Sequence, residues 1–257
     1  MERREFVGAS IATLCTAGSG LAAPADQQRD IYELRTYILK PDKQPLLDEY
    51  LSKALLPALK RMGIGPVGAF TEPPEKDVLR LTVLMVHKNA DEVVGLSARL
   101  AADEEYRKAA AAYLTARPDD PVYLRIESSL LAAIGGMPKL DKPDATKPRL
   151  LNLRVYESHS ERAATKKVEM FEKGELAIFR RVGLTPVFFA SALVGAAMPN
   201  LTYMLVFPND DGRKKAWDMF RGDDAWLKLK AIPEYADKEI VSKITNRILT
   251  PTAYSEI

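Results

Sequence analysis

The residues best placed to do chemistry lie on two short runs that read as strands. These are Glu33-Leu34-Arg35-Thr36-Tyr37 and Asn152-Leu153-Arg154-Val155-Tyr156. Alternate side chains of a strand share a face, so Glu33, Arg35 and Tyr37 project together, as do Arg154 and Tyr156. A guanidinium offers a planar fork of donors that suits carboxylate or phosphate. Once buried, it needs acceptors. One solution is an internal bridge, to Glu33, to Glu127 or to backbone carbonyls. The other is an anionic ligand. Buried charges are usually paired within the protein, which favours the internal bridge. His87 ends a nearly all-apolar run from Val78. A lone His at a strand end is usually packed with one polar contact. Its titration near neutral pH also makes it a candidate acid–base or heme-ligating group. Candidate catalytic residues are therefore His87 and Tyr37. Candidate ligand-binding residues are Glu33, Arg35, Tyr37, His87, Arg154 and Tyr156.

Much chemistry is missing. The chain has two histidines and one cysteine. No His-x-x-x-His or Glu-x-x-His pair supports a metal. No Gly-x-Ser-x-Gly elbow supports a hydrolase triad, and no glycine-rich phosphate loop supports a nucleotide. We expect no metal and no cofactor. The formal net charge is +2 with basic and acidic residues interspersed, which argues against a nucleic-acid partner. His159 reads as a surface residue of a helix cap. Trp217 and Trp226 read as packing residues, and Glu175 as the edge of the apolar seam Val168, Phe171, Ile178 and Val182.

The elements that position these residues come in two copies. Arg61-Met62-Gly63-Ile64-Gly65-Pro66-Val67 returns 120 residues later as Arg181-Val182-Gly183-Leu184-Thr185-Pro186-Val187. Leu81-Thr82 matches Leu201-Thr202, and Asp103 with Tyr106 matches Asp223 with Trp226, at the same offset. Arg35 and Tyr37 match Arg154 and Tyr156 at 119. A domain-sized unit is used twice.

Each unit reads β-α-β-β-α-β, the ferredoxin-like order. In the first, 31–38 is a strand and Pro41-Asp42 opens a helix to Met62, with Pro57 set to kink it or to start a second helix. Val67–Thr71 and Val78–His87 form a hairpin. Asn89-x-x-Glu92 is a capping box opening a helix to Ala116, with a break near Ala101–Asp103. Val122–Leu130 closes the unit. In the second, Leu150–Tyr156 is a strand and Ser158–Glu161 caps a helix to Val182. Strands follow at Pro186–Ser191 and Leu201–Phe207, then a helix from Asp211 to about Leu229 and a strand from Lys238 to Leu249. Residues 250–257 have no clear pattern. The units span 31–134 and 149–257, and a Pro- and Gly-bearing linker spans 135–148. A four-stranded sheet with helices on one side leaves its other face bare. Two such faces can cover each other. The expected fold class is α+β, two tandem ferredoxin-like (βαββαβ) units forming an intramolecular barrel, with the Arg35 and Arg154 faces lining its interior. Exposed sheet edges would allow a homo-oligomer.

The first 25 residues differ. Met1-Glu2-Arg3-Arg4-Glu5-Phe6-Val7 leads into the small, apolar run Gly8–Ala23, and Ala23-Pro24-Ala25 offers a cleavage site. This describes an export signal rather than a membrane span, and Arg3-Arg4 with Phe6 resembles a twin-arginine signal. A periplasmic or secreted location follows, with no integral membrane segment in the mature chain. Cys15 lies inside the signal, so the mature chain would contain no cysteine, disulfide or thiolate nucleophile.

Tyr32-Glu33-Leu34-Arg35-Thr36-Tyr37, Pro41, the helix before Gly63, Val67-Gly68 and Arg99-Leu100 with Asp103-Glu104-Glu105-Tyr106 together resemble the NIPSNAP domain. Asn152–Tyr156 and Asp223-Asp224-Ala225-Trp226 repeat that resemblance in the second unit. It implies a dimeric α/β-barrel fold and no agreed enzymatic activity. The second unit departs from the pattern at Asn152, in place of Glu33, and at Phe188, in place of Gly68. A site built on the Glu can exist only in the first. Two functions follow. The first is a binding or structural protein that holds a small, partly apolar or anionic molecule or serves as an interaction module. The second is a cofactor-independent enzyme, an oxygenase or isomerase acting on an aromatic or quinone-like substrate.

Overall fold

The structure, a computed structural model, describes residues 28–257. The expected export segment, with Cys15, lies outside the described residues. The first unit opens on β1 (Ile31–Leu39). Next come α1 (Gln44–Tyr50), a single π turn (Leu51–Leu55) and α2 (Leu56–Arg61), with right-handed helical backbone at each junction. Pro57 falls in the first turn of α2, where its missing N–H costs little. The hairpin is β2 (Val67–Thr71) and β3 (Leu79–His87). Four short helices follow, α3 (Ala90–Val94), α4 (Leu96–Ala102), α5 (Glu104–Ala109) and α6 (Ala111–Leu114), before β4 (Arg125–Ala133).

The second unit repeats this plan. It runs β5 (Leu150–Glu157), α7 (Glu161–Met170), a π turn (Phe171–Glu175), α8 (Leu176–Val182), β6 (Thr185–Val194) and β7 (Asn200–Phe207). Then come α9 (Asp210–Arg221), α10 (Asp224–Lys230), α11 (Asp237–Ile240) and β8 (Lys243–Pro251). The π turn recurs at the same place with no proline in α8, so it belongs to the repeat and not to Pro57.

The landmarks that betrayed the repeat have physical roles. Gly63 and Gly183 take left-handed backbone, φ 71° and 87°, and end the two helix runs. Beyond them Ile64 N–H reaches back to Leu59 O and Leu184 N–H to Phe179 O, each at 2.9 Å. This is the glycine-terminated helix end that lone carbonyls favour. Asp103 caps α5 by accepting from Tyr106 N–H and is gripped by Arg61 at 2.7 Å. Asp223 caps α10 by accepting from Trp226 N–H and is gripped by Arg181 at 2.9 Å.

The eight strands form one closed antiparallel barrel in the order β1-β3-β2-β8-β5-β7-β6-β4. Each unit supplies four neighbouring strands. One seam pairs β4 with β6. The other pairs β2 with β8 over Phe70 and Thr71 only. Residues 252–257 lengthen that short seam. Thr252 N–H donates to Ala69 O and Glu256 N–H to Val67 O, both at 2.9 Å. Among the described residues no helix is long and apolar enough to cross a membrane.

Several expectations need correction. The barrel interior takes the other face of the opening strands. Tyr32, Leu151, Leu153, Phe70 and Phe188 form its packed apolar core, whereas Tyr37 and Tyr156 belong to two separate clusters under the helices. Arg35 and Arg154 therefore lie between sheet and helices, one in each unit. An eight-stranded barrel has room inside for little more than its own side chains, and the Tyr32/Leu34 and Leu151/Leu153 faces are the more apolar. The guanidinium that does enter is Arg247, held by Glu72 and by Thr82 Oγ1. β4 starts at Arg125 rather than Val122, and Asp237–Ile240 is helical rather than strand. The second capping residue is Ser160, which accepts from Ala163 N–H, while Ser158 donates to Ile240 O. The break expected near Ala101–Asp103 is present, with Asp103 capping α5, whereas Asp223 interrupts a helix read as continuous from Asp211 to about Leu229. Asn89 caps α3 as expected, accepting from Glu92 N–H, and Glu92 reaches back to Lys88 N–H.

Candidate functional site

In the first unit β1 presents Glu33, Arg35 and Tyr37 to the overlying helices. The register places Glu33 opposite Met85 of β3 and Leu130 of β4, and Arg35 opposite Ser128. The two oxygens of Glu33 are used unequally. Oε1 accepts from Arg35 Nε at 2.9 Å, Arg35 Nη2 at 2.6 Å and Ser128 Oγ at 3.0 Å. Oε2 accepts none of these hydrogen bonds, and its charged-group neighbour is His87 Nε2 at 3.9 Å. Glu33 is 6% exposed. Arg35 also approaches Tyr37 Oη, at 3.5 Å. Glu127, the other partner considered for Arg35, lies exposed on β4 and faces Arg125 instead.

His87 is 1% exposed, and neither ring nitrogen has a hydrogen-bond partner. Nδ1 is 4.0 Å from Glu92. Burial lowers its pKa, against the upward pull of Glu33 and Glu92, with Arg35 and Arg99 adding to the lowering. The imidazole is neutral near pH 7 and too enclosed to ligate a heme. Tyr37 is raised, chiefly by burial, with Arg35 opposing. Burial would pull the Arg35 guanidinium down, but Tyr37 and Glu33 outweigh it and leave it raised. Arg35 is a permanent cation.

Above this trio lies a cavity of about 450 Å³, within the roughly 300–1,000 Å³ typical of small-molecule sites. Glu33 and Arg35 line one side. Tyr50, Leu96, Leu100, Tyr106 and Leu114 supply apolar and aromatic walls, and Arg107 a second cation. The walls are stiffened by aromatic contacts. Tyr50 stacks on Tyr113 with centroids 3.6 Å apart, and its hydroxyl meets that of Tyr106 at 3.1 Å. Neither His87 nor Tyr37 lines the cavity, so His87 can influence a bound molecule only through Glu33. Ser128 and the tyrosine walls were missed in the sequence. Tyr106 alone carried a signal, as a repeat landmark.

The second unit carries the same strand positions with different side chains. Asn152 occupies the place of Glu33. Its amide donates to Asn246 Oδ1 at 2.7 Å and Arg247 O at 3.2 Å, and it accepts from Trp217 Nε1 at 3.3 Å. Arg154 donates to Asn246 Oδ1 and Tyr156 Oη and lies over the Trp217 ring, 4.6 Å from its centroid. It lines a separate cavity of about 510 Å³. The position of His87 is taken by Phe207. Below this lies a pair with no counterpart in the first unit. Lys167 Nζ meets Glu175 Oε2 at 3.0 Å, each residue 1% exposed. Glu175 is therefore a core residue, not the seam edge expected. Burial raises its pKa and Lys167 offsets part of the rise. Trp217 and Trp226 are buried packing residues as expected, and His159 is exposed.

A family model described as NIPSNAP matches residues 32–118 and 151–256. No curated protein matches the chain. Among solved structures, the fold is similar to a Fusobacterium nucleatum protein to which monooxygenase activity is ascribed. The TM-score is 0.59 at 10% identity, covering 88% of this chain and 93% of that one. A Lactobacillus acidophilus protein with the same ascription gives 0.55 at 11% identity, covering 87% and 94%. An anthrone oxidase-like protein gives 0.51 at 10% identity, covering 88% and 93%.

Proposed function

From a chain that belongs to the NIPSNAP family, we propose a protein that binds a small, partly apolar molecule in its first-unit cavity, presenting an acidic or hydrogen-bonding group to Glu33 and Arg35. The observation that carries this reading is the asymmetry of the Glu33 carboxylate. Three donors fix Oε1, while Oε2 is left free beside a neutral His87. A carboxylate held in this way is oriented and ready to accept a proton or hydrogen bond from a ligand. Apolar walls exclude water from the rest of the molecule. Small molecules that co-purify with the natively isolated protein, identified by mass spectrometry, would test it. Glu33→Gln should release them while leaving the fold intact. Retention by that variant would overturn the proposal.

A second reading is favoured by the same free oxygen. Glu33 Oε2 could take a proton from an acidified C–H or O–H of an aromatic or quinone-like substrate. The electron pair stays on the substrate as an enolate or phenolate, which Arg35 and Arg107 stabilise. Returning the proton at another carbon gives an isomerase. With dioxygen as oxidant, a CH₂ becomes C=O and the second oxygen atom leaves as water, with no cofactor needed. The resemblance to proteins described as monooxygenases and as anthrone oxidase-like agrees with this only at the level of fold. Oxygen uptake with phenolic and anthrone-type substrates would separate it from binding alone. Residues 1–25 further suggest export of the folded chain by the twin-arginine route. N-terminal sequencing of the protein from the periplasm should begin at Asp26.

A further inference from the structure

The second unit repeats the arginine but not its carboxylate. In the first unit the Nε–Nη2 edge of Arg35 closes on Glu33. In the second, the equivalent residue is Asn152, whose amide is turned to Asn246, Arg247 and Trp217. Arg154 keeps only neutral acceptors, Asn246 Oδ1 at 3.1 Å and Tyr156 Oη at 3.2 Å. Its Nε is buried without a partner. The buried carboxylate of this unit, Glu175, is taken by Lys167. A largely enclosed guanidinium with one donor unmet and no counter-ion is costly unless something supplies an anion.

The cavity beside it carries more cations than carboxylates. It is about 510 Å³ and lined by Arg154, Arg213, Lys214, Arg221 and Lys230 against Asp218 and Asp237. Asp218 is already paired with Arg221. Asp210 takes Arg213 and Lys214. The rest of the wall is Trp217, Phe220 and Trp226. We infer that this second-unit cavity is a binding site for an aromatic carboxylate. The ligand's carboxylate meets Arg154 from the cavity side, supplying the counter-ion that Asn152 does not, and its ring lies against Trp217 and Trp226. A planar carboxylate suits a guanidinium that has only neutral acceptors, and the first unit shows the same arginine position paired with one. The site is distinct from the one proposed for the first unit and stands without it.

Trp217 and Trp226 are the chain's two tryptophans, so emission excited selectively at tryptophan, not at the ten tyrosines, reports on this cavity. Benzoate titrated into the full chain should change the emission saturably, and neutral benzamide should bind about tenfold more weakly or worse. Arg154→Gln should abolish the benzoate response. Asn152→Glu, which restores an internal carboxylate, should block it too, with a melting temperature no lower than that of the parent. Glu33→Gln should leave the response unchanged, which separates this site from the first-unit proposal. Equal responses to benzoate and benzamide would overturn the inference. So would no saturable response up to the solubility limit, or an undiminished response in Asn152→Glu.

Discussion

At the scale of residues, Glu33 is the group on which the first-unit site turns. If it receives a substrate proton, Glu33→Gln should lower kcat/KM by about 10²-fold or more, the usual worth of a positioned base. Its three donors on Oε1 would hold a glutamine in nearly the same place, but Arg35 loses its counter-ion, so melting temperature should fall while the fold is kept. His87 makes a second, pH-dependent contribution. Burial sets its folded-state pKa below the unfolded value of about 6.5. Its stability contribution is thus fully present above that value. It is lost as pH falls, because the unfolded chain then takes up a proton that the folded one resists. Glu33 and Glu92 partly counter this, and Arg35 and Arg99 reinforce it. His87→Phe, copying Phe207, should lose less stability than the parent in urea titrations between about pH 7.5 and 5.5. That Glu33, Arg35 and Tyr37 share a face was legible from strand alternation. Which layer they face was misread, because β1 is covered on both sides and the more apolar Tyr32/Leu34 face, not the arginine face, fills the barrel. Ser128 was invisible for a different reason. It comes from the closing strand, whose register against β1 no local pattern encodes.

At the scale of elements, the clearest difference between the units lies under the two π turns. Leu47 and Leu55 of the first unit become Lys167 and Glu175 of the second, a buried ion pair on the same helix run. Removing one partner, as in Glu175→Leu, strands a charge and should cost about 3–5 kcal/mol. Replacing both with leucine should be neutral or stabilising by up to about 4 kcal/mol. Urea unfolding of the single and double variants checks this, and equal losses in both would refute it. Helices and strands were largely readable because each had a twin 120 residues away. The helix starts at Asn89 and near Ser160 were legible through their caps. The break at Asp103 was legible, and that at Asp223 was harder. A capping aspartate inside an apolar stripe looks like one more surface charge until an arginine from another helix is seen to hold it.

At the scale of the whole molecule, the two units share one interior, so they should unfold together. Tyr32 of the first unit packs against Phe188 of the second with ring centroids 4.8 Å apart. Both are fully buried. Phe188→Ala should destabilise the protein by about 3–5 kcal/mol and shift one calorimetric transition downward as a whole. A second, unmoved transition would mean that the halves fold separately. The closed barrel itself followed from the repeat and from a sheet face needing cover. The contribution of residues 252–257 to the short seam did not, since their partners are backbone groups of β2. The register-matched pair of Glu33 and Asn152 has one more consequence. A homodimer assembled from a single half would carry any substitution at that position twice. In a fused chain each half changes without its twin, so occupancy measurements should count one guest per chain for each kind of ligand, where a symmetric dimer would count two.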